Sequence, residues 1–114
     1  MKLVIYQTSD LHGYVYPTNY VKEQSLGILK IGSYILQDEK NYDYSLKIDC
    51  GDLVQGSALT HYLSKQMLKT NPIVELLEDI GYNAYVLGNH EFNYGLGYLN
   101  AAYSLVSDKI INAN

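Results

Sequence analysis

Three times along this chain a short β-branched or apolar run stops at a glycine-bordered cluster of side chains that bind cations or move protons. Residues 2–9 lead into Asp10-Leu11-His12-Gly13. Residues 46–50 lead into Gly51-Asp52-Leu53-Val54-Gln55-Gly56-Ser57, and residues 84–87 into Gly88-Asn89-His90-Glu91-Phe92-Asn93-Tyr94-Gly95. Between these runs lie segments with apolar residues at helical spacing. Strands that alternate with helices predict an α/β fold, a parallel sheet built from βαβ units. In open sheets of this kind ligands bind beyond the carboxyl ends of the strands. All three clusters fall there, so they are expected to meet on one rim.

The helices are legible from spacing and caps. Ile28, Ile31 and Ile35, with Leu36 beside them, predict a helix over 27–40 that carries nothing catalytic. Ser57 is a candidate N-cap for a helix over 58–68, which contains His61 without a partner at metal spacing. Asn71-Pro72 opens a helix and Gly81 closes it, with Ile73, Leu76, Leu77 and Ile80 on one face. Leu96, Leu99, Tyr103 and Val106 give a last helix its buried face, and 109–112 reads as a fourth strand. Residues 14–24 contain Pro17 and Asn19 and read as a loop, whose Tyr14, Tyr16 and Tyr20 either line a pocket or pack its wall.

Composition limits the partners. A net charge of −4 argues against a nucleic-acid duplex, whose backbone needs a basic surface. It leaves open a small phosphorylated substrate at a site where a metal supplies the positive charge. Residues 3–6 are too short for a signal-peptide core, no stretch is long enough to span a membrane, and the single Cys50 excludes an internal disulfide. A cytoplasmic protein without membrane contact is the expectation. Thirteen tyrosines and no tryptophan suggest buried packing combined with exposed phenol tips.

In the first cluster, residues two apart on extended backbone project to one side, so Asp10 and His12 can reach one ion while Leu11 turns into the core. Asp52 leaves the tip of the second run and is the ligand candidate there, whereas Asp49 is expected to stay on the strand or its edge. Cys50 is either a soft metal ligand or a small core filler, and the second is favoured. In the third cluster Asn89 can offer an amide oxygen to a metal and His90 a proton to a reacting oxygen. The set mixes oxygen and nitrogen donors. Two divalent ions about 3.5–4 Å apart can clamp the attacking and leaving oxygens of a phosphoryl transfer, with a bridging carboxylate between them. Asp52, between the other clusters, is the natural bridge.

Thr8-Ser9-Asp10-Leu11-His12-Gly13, Gly51-Asp52-Leu53-Val54-Gln55-Gly56-Ser57 and Gly88-Asn89-His90-Glu91-Phe92 resemble the first three signatures of the calcineurin-like metallophosphoesterases. The Gln-Gly after Asp52 and the Glu-Phe after His90 resemble the branch of 5′-nucleotidases and 2′,3′-cyclic-nucleotide 2′-phosphodiesterases. The resemblance implies Asp10 and His12 on a first metal, Asp52 bridging two metals, Asn89 on the second and His90 as the catalytic histidine. It implies two divalent ions (Mn, Zn, Co or similar), a nucleotide or cyclic-nucleotide substrate, and the first half of an αββα sandwich.

Two departures stand out. Many relatives carry Asp three residues after the catalytic His, where this chain has Asn93; its amide oxygen can accept from the imidazole but cannot balance a positive ring by charge. The later histidines of the family, including a Gly-His-x-His signature, have no counterpart here, since His12, His61 and His90 are the only histidines. The expectation is therefore the amino-terminal part, residues 1–114, of a catalytic domain. Its sheet face would lack the second sheet, and the chain is expected to form a homodimer or to associate with the missing carboxyl-terminal part. Alone it is either an enzyme completed by association or a non-catalytic metal-binding fragment.

Overall fold

The computed structural model describes residues 1–18 and 21–113; Asn19 and Tyr20 of the tyrosine-rich loop, and Asn114, lie outside the described residues. Strands β1 (Leu3–Thr8), β2 (Tyr44–Asp49) and β3 (Ala84–Tyr85) form a parallel sheet in the order β1-β2-β3. Leu3 pairs with Tyr44 and Thr8 with Asp49, while Ile48 pairs with Ala84. Four helices follow the expected order: α1 (Ile28–Asp38), α2 (Ala58–Ser64), α3 (Pro72–Ile80) and α4 (Leu96–Ala102). This is the α/β arrangement that the alternation predicts.

The helix ends follow local chemistry. Ser57 and Thr60 form a reciprocal capping box at the start of α2. The Asn71 side chain accepts from Ile73 N–H at 2.9 Å beside Pro72, and Gly81 closes α3 in the left-handed conformation. Other boundaries move. Gly27 caps α1 instead of belonging to it, and α1 gives way to a 3₁₀ turn over Glu39–Asn41. α2 stops at Ser64, four residues early, and α4 at Ala102, after which Ser104–Lys109 is 3₁₀ with a kink at Val106. β2 begins at Tyr44 and β3 has only two residues. The fourth strand is reduced to one parallel bridge between Ile110 and Tyr85. Lys109 is drawn instead to Glu78, at 2.6 Å, and to the Tyr82 carbonyl, at 3.2 Å.

α1 and α3 pack together on one face of the sheet, with Ile28, Ile35, Ile73, Val74, Leu77 and Ile80 in the core. Tyr82, Tyr85 and Tyr103 are buried there in ring contact, at centroid distances of 6.2 and 6.1 Å. Their hydroxyls have partners: Thr8 Oγ1 for Tyr82, Glu78 for Tyr85 and Glu91 for Tyr103. That explains tyrosine where phenylalanine would fill the same space.

The two faces of the sheet differ in polarity. The face under the helices carries Tyr6, Thr8, Ser45, Lys47 and Asp49, each bonded: Tyr6 to Asp38 at 2.8 Å, Ser45 to Glu39 at 2.8 Å, and Lys47 to Glu39 at 2.6 Å and the Ile80 carbonyl at 3.0 Å. The alternation within β1 turns Leu3 and Ile5, both 58% exposed, to the other side, in register with Tyr44 and Leu46. This open face, mainly apolar but with Gln7 and Tyr44 also on it, is the one the resemblance expects a second sheet to cover. No helix among the described residues is long and apolar enough to cross a membrane.

Candidate metal centre

Pairing between β1 and β2 continues after the strand geometry ends. Cys50 N–H donates to the Thr8 carbonyl at 2.8 Å, Asp10 N–H to the Gly51 carbonyl at 3.0 Å, and His12 N–H to the Asp52 carbonyl at 2.9 Å. The first two loops are thus laced together along the rim. Asp10, His12 and Asp52 have φ of 56°, 48° and 58°, and they are the three non-glycine residues with positive φ among those described. Asp and His tolerate this left-handed region better than branched residues do.

The extended backbone expected for Asp10 and His12 is therefore corrected. The two side chains converge through left-handed turns instead, because the loop curls over the end of β2. One carboxylate oxygen each from Asp10 and Asp52 and one ring nitrogen of His12 lie within 4.8 Å of one another. His12 Nε2 is 3.8 Å from Asp10 Oδ1. Asp10 is further steadied by the Ser9 hydroxyl, which donates to its Oδ2. Leu11 packs against the core, half-buried.

The tautomer of His12 follows from its surroundings. Its Nδ1 lies 2.6 Å from the Gln55 carbonyl oxygen, which can only accept. Nδ1 therefore carries the hydrogen, and in the neutral ring Nε2 presents a lone pair toward the Asp10 carboxylate. A lone pair facing a carboxylate, with a second carboxylate beside it, suits a divalent cation, and a backbone carbonyl behind the ring is the usual support for a ligating histidine. None of the ion pairs among the described residues brings a lysine to this rim.

The third loop reaches the same place. Asp52 Oδ1 accepts from His90 N–H at 3.0 Å, and the rings of His90 and His12 meet edge to face at 5.6 Å. His90 Nδ1 lies 2.9 Å from Asn93 Nδ2, so the amide nitrogen faces the neutral ring instead of the oxygen that the sequence led one to expect. Donation from that amide leaves the proton of the neutral ring on Nε2. Asn89 is exposed and its side chain does not cap the 3₁₀ turn (His90–Phe92) that it precedes. Gly88 and Gly51 allow the loops to touch: a Cβ on Gly88 would lie under 3.0 Å from Asp52 Oδ1 and from its backbone nitrogen.

Several residues stand apart from the cluster. Asp49 ends β2, on the strand as expected, and is fully buried on the helix side, where it accepts from Thr8 Oγ1 at 2.7 Å and from Gly51 N–H at 3.1 Å. Burial lifts its carboxyl to about 6, against the opposing pull of those two bonds. Cys50 is half-buried and free. His61 is exposed and leans on Tyr94 at a ring distance of 6.4 Å. Tyr14 and Tyr16 are exposed and line grooves beside the rim.

Glu91 has no role in the sequence expectation, yet it is fully buried between the second and third loops. Its Oε2 accepts from Asp52 N–H at 2.8 Å and Gly88 N–H at 2.7 Å, and its Oε1 from Leu53 N–H at 2.6 Å. The clue available in the sequence is the density of glycine turns, whose unpaired N–H groups need an acceptor when buried.

With this geometry in place, comparison with known proteins gives a consistent picture. A family model described as calcineurin-like phosphoesterase matches residues 3–113. A 2′,3′-cyclic-nucleotide 2′-phosphodiesterase/3′-nucleotidase from Haemophilus influenzae is 35% identical over 98% of the chain, which spans only 18% of that relative's length. A snake venom 5′-nucleotidase from Gloydius brevicauda is 28% identical over 99% of the chain, which spans 20% of it. The crystal structure of the calcineurin-like phosphoesterase YfkN from Bacillus subtilis superposes with a TM-score of 0.86 at 32% identity, covering 96% of this chain and 36% of that one. The motifs, the sheet and the match along nearly the whole length agree: the chain belongs to the calcineurin-like phosphoesterase family.

Proposed function

We propose that this chain carries the first part of the metal centre of a nucleotide phosphoesterase, one that hydrolyses nucleoside 5′-monophosphates, 2′,3′-cyclic nucleotides or both. The observation that carries this reading is the convergence of Asp10, His12 and Asp52 ligand atoms within 4.8 Å, on a rim to which His90 is bonded. Asp10 and His12 Nε2 would hold one divalent ion, Asp52 would bridge to a second, and Asn89 would serve the second. Bound ions of the Mn²⁺, Zn²⁺ or Co²⁺ type supply Lewis-acid activation of water and neutralise phosphate charge. As an imidazolium, His90 would give its Nε2 proton to the leaving oxygen, with the Asn93 amide turned so that its oxygen accepts from Nδ1–H. General acid assistance of this kind is worth about 10²–10⁴ in rate.

For the 114-residue chain by itself a second reading applies, that of a metal-binding portion without turnover. The chain spans 18% of its relative's length. The described residues contribute one cluster of three such ligands, too few for two closed sites. The open face with Leu3 and Ile5 is then covered by a second copy or by the remainder of a longer enzyme.

Mn²⁺ titration of the purified chain, followed by hydrolysis of a generic phosphodiester beside the Asp52→Ala variant, tests both readings. Turnover that Asp52→Ala abolishes supports an enzyme completed by association. Mn²⁺ binding without turnover assigns the chain one half-site. No Mn²⁺ binding overturns the proposal.

A further inference from the structure

We infer that Glu91 is a positioning residue that sets Asp52 and the turn over residues 88–90 relative to each other; for its effect on cation binding the inference rests on the function proposed above. The carboxylate is fully buried and accepts from Asp52 N–H, Leu53 N–H, Val54 N–H at 3.4 Å, Gly88 N–H and the Tyr103 hydroxyl at 3.4 Å. Among the described residues no cationic side chain forms an ion pair with it. Its negative charge is met by the aligned amides of two loops that are 38 residues apart in sequence.

The connections form a closed loop. Glu91 holds the backbone of Asp52, and the next residue back, His90, donates its own N–H to the Asp52 carboxylate. The side chain that binds the cation and the backbone that carries it are thus fixed by neighbouring residues of one turn. Glu91 touches no ligand atom itself. It determines where the Asp52 carboxylate stands with respect to Asp10 and His12, and where His90 stands with respect to all three.

The chemistry makes Gln a poor substitute. Each Glu91 oxygen accepts from backbone N–H groups, so either orientation of a glutamine amide sets an NH₂ against N–H donors. Asp keeps the charge and withdraws the carboxylate by one methylene, beyond simultaneous reach of both loops.

The test compares Glu91→Gln and Glu91→Asp with Val106→Ala, a cavity variant in the buried core. Mn²⁺ affinity is read by titration, and amide exchange is followed without metal. The expected result is a 10–100-fold loss of Mn²⁺ affinity in both Glu91 variants, the range typical of groups that orient a ligand, with Val106→Ala binding as the unaltered chain does. In metal-free Glu91→Asp the His90 N–H, which Glu91 does not touch, loses protection while the amides of Leu3–Thr8 keep theirs. Retained His90 protection, or equal loss of Mn²⁺ affinity in Val106→Ala, overturns the inference. If Glu91→Gln fails to fold, Glu91→Asp alone decides. If the unaltered chain binds no Mn²⁺, the functional reading fails and the exchange experiment still judges Glu91.

Discussion

Asp52 Oδ1 accepts the backbone N–H of His90 at 3.0 Å, so one bond ties the central ligand candidate to the residue proposed as proton donor. Asp52→Asn keeps an acceptor and loses the charge, whereas Asp52→Ala loses both. Mn²⁺ titration should show affinity falling about 10²-fold or more in both, since an anionic ligand is removed from a hard cation. Only Asp52→Ala should also shift the amide resonance of His90 in a metal-free NMR spectrum. Equal spectra for the two variants would sink this account of the bond.

Two glycines give opposite expectations. A Cβ at Gly88 falls under 3.0 Å from Asp52, whereas one at Gly97, in α4, meets nothing within 4 Å. Gly88→Ala should weaken Mn²⁺ binding at least tenfold and cost about 1–3 kcal/mol of stability. Gly97→Ala should leave binding alone and stabilise by about 0.5–1 kcal/mol through helix propensity. Thermal melts and Mn²⁺ titrations of both variants check the pair.

Asp49 gives a pH signature. Its carboxyl rises from the ordinary 3.8 to about 6 because it is buried. A carboxyl that holds its proton more tightly when folded adds stability that is complete below about pH 4 and is lost as pH rises through 6. The two values differ by about 3 kcal/mol in this linkage. Asn at position 49 keeps an acceptor for Gly51 N–H and does not titrate. Its stability relative to the unaltered chain should therefore improve by up to that amount between pH 4 and pH 7.5 in urea unfolding. A constant difference across the range would refute the assignment.

Lys47 is buried on the helix side of β2, paired with Glu39 at 2.6 Å and with the Ile80 carbonyl at 3.0 Å. The lysine holds the Glu39 carboxyl below its ordinary value, with burial acting against it. Lys47→Ala should cost about 1–3 kcal/mol, through the lost packing of the buried lysine stem and the lost charge-assisted bonds to Glu39 and the Ile80 carbonyl. Lys47→Met combined with Glu39→Gln should recover most of that loss. Denaturant midpoints of the single and double variants measure the coupling.

The open face predicts association. With Leu3 and Ile5 each 58% exposed beside Tyr44 and Leu46, sedimentation velocity of the isolated chain should show concentration-dependent species heavier than the monomer. Ile5→Lys should shift the distribution toward monomer and reduce apolar-dye binding. A monomer at all concentrations would count against this surface as an interface.

What the sequence makes legible here is what depends on near neighbours. Ser57, Asn71 and Gly81 announce helix ends because a cap is a contact within three or four residues. The three clusters announce a rim because alternation places each at a strand end. Less was readable where distant groups decide. Asp49 stays on its strand as expected, but its complete burial and its bonds to Thr8 and Gly51 are not visible in the sequence. Residues 109–112 have strand composition, but Lys109 is taken by Glu78, leaving a single bridge at Ile110. Glu91 resembles an exposed acid in a polar turn, and three of the N–H groups it accepts from belong to a loop 37–39 residues earlier.

The ladder that runs on from Cys50 through Asp10 to His12 makes the rim and the sheet one thermodynamic unit. The candidate ligands from two loops cannot separate while the pairing of β1 with β2 continues past its formal end. A cation bound there is consequently linked to the folding equilibrium of the sheet itself. At a hundred times its dissociation constant it would stabilise the folded chain by about 2.7 kcal/mol. Removing the metal would then lower the melting temperature of the whole domain instead of loosening three loops.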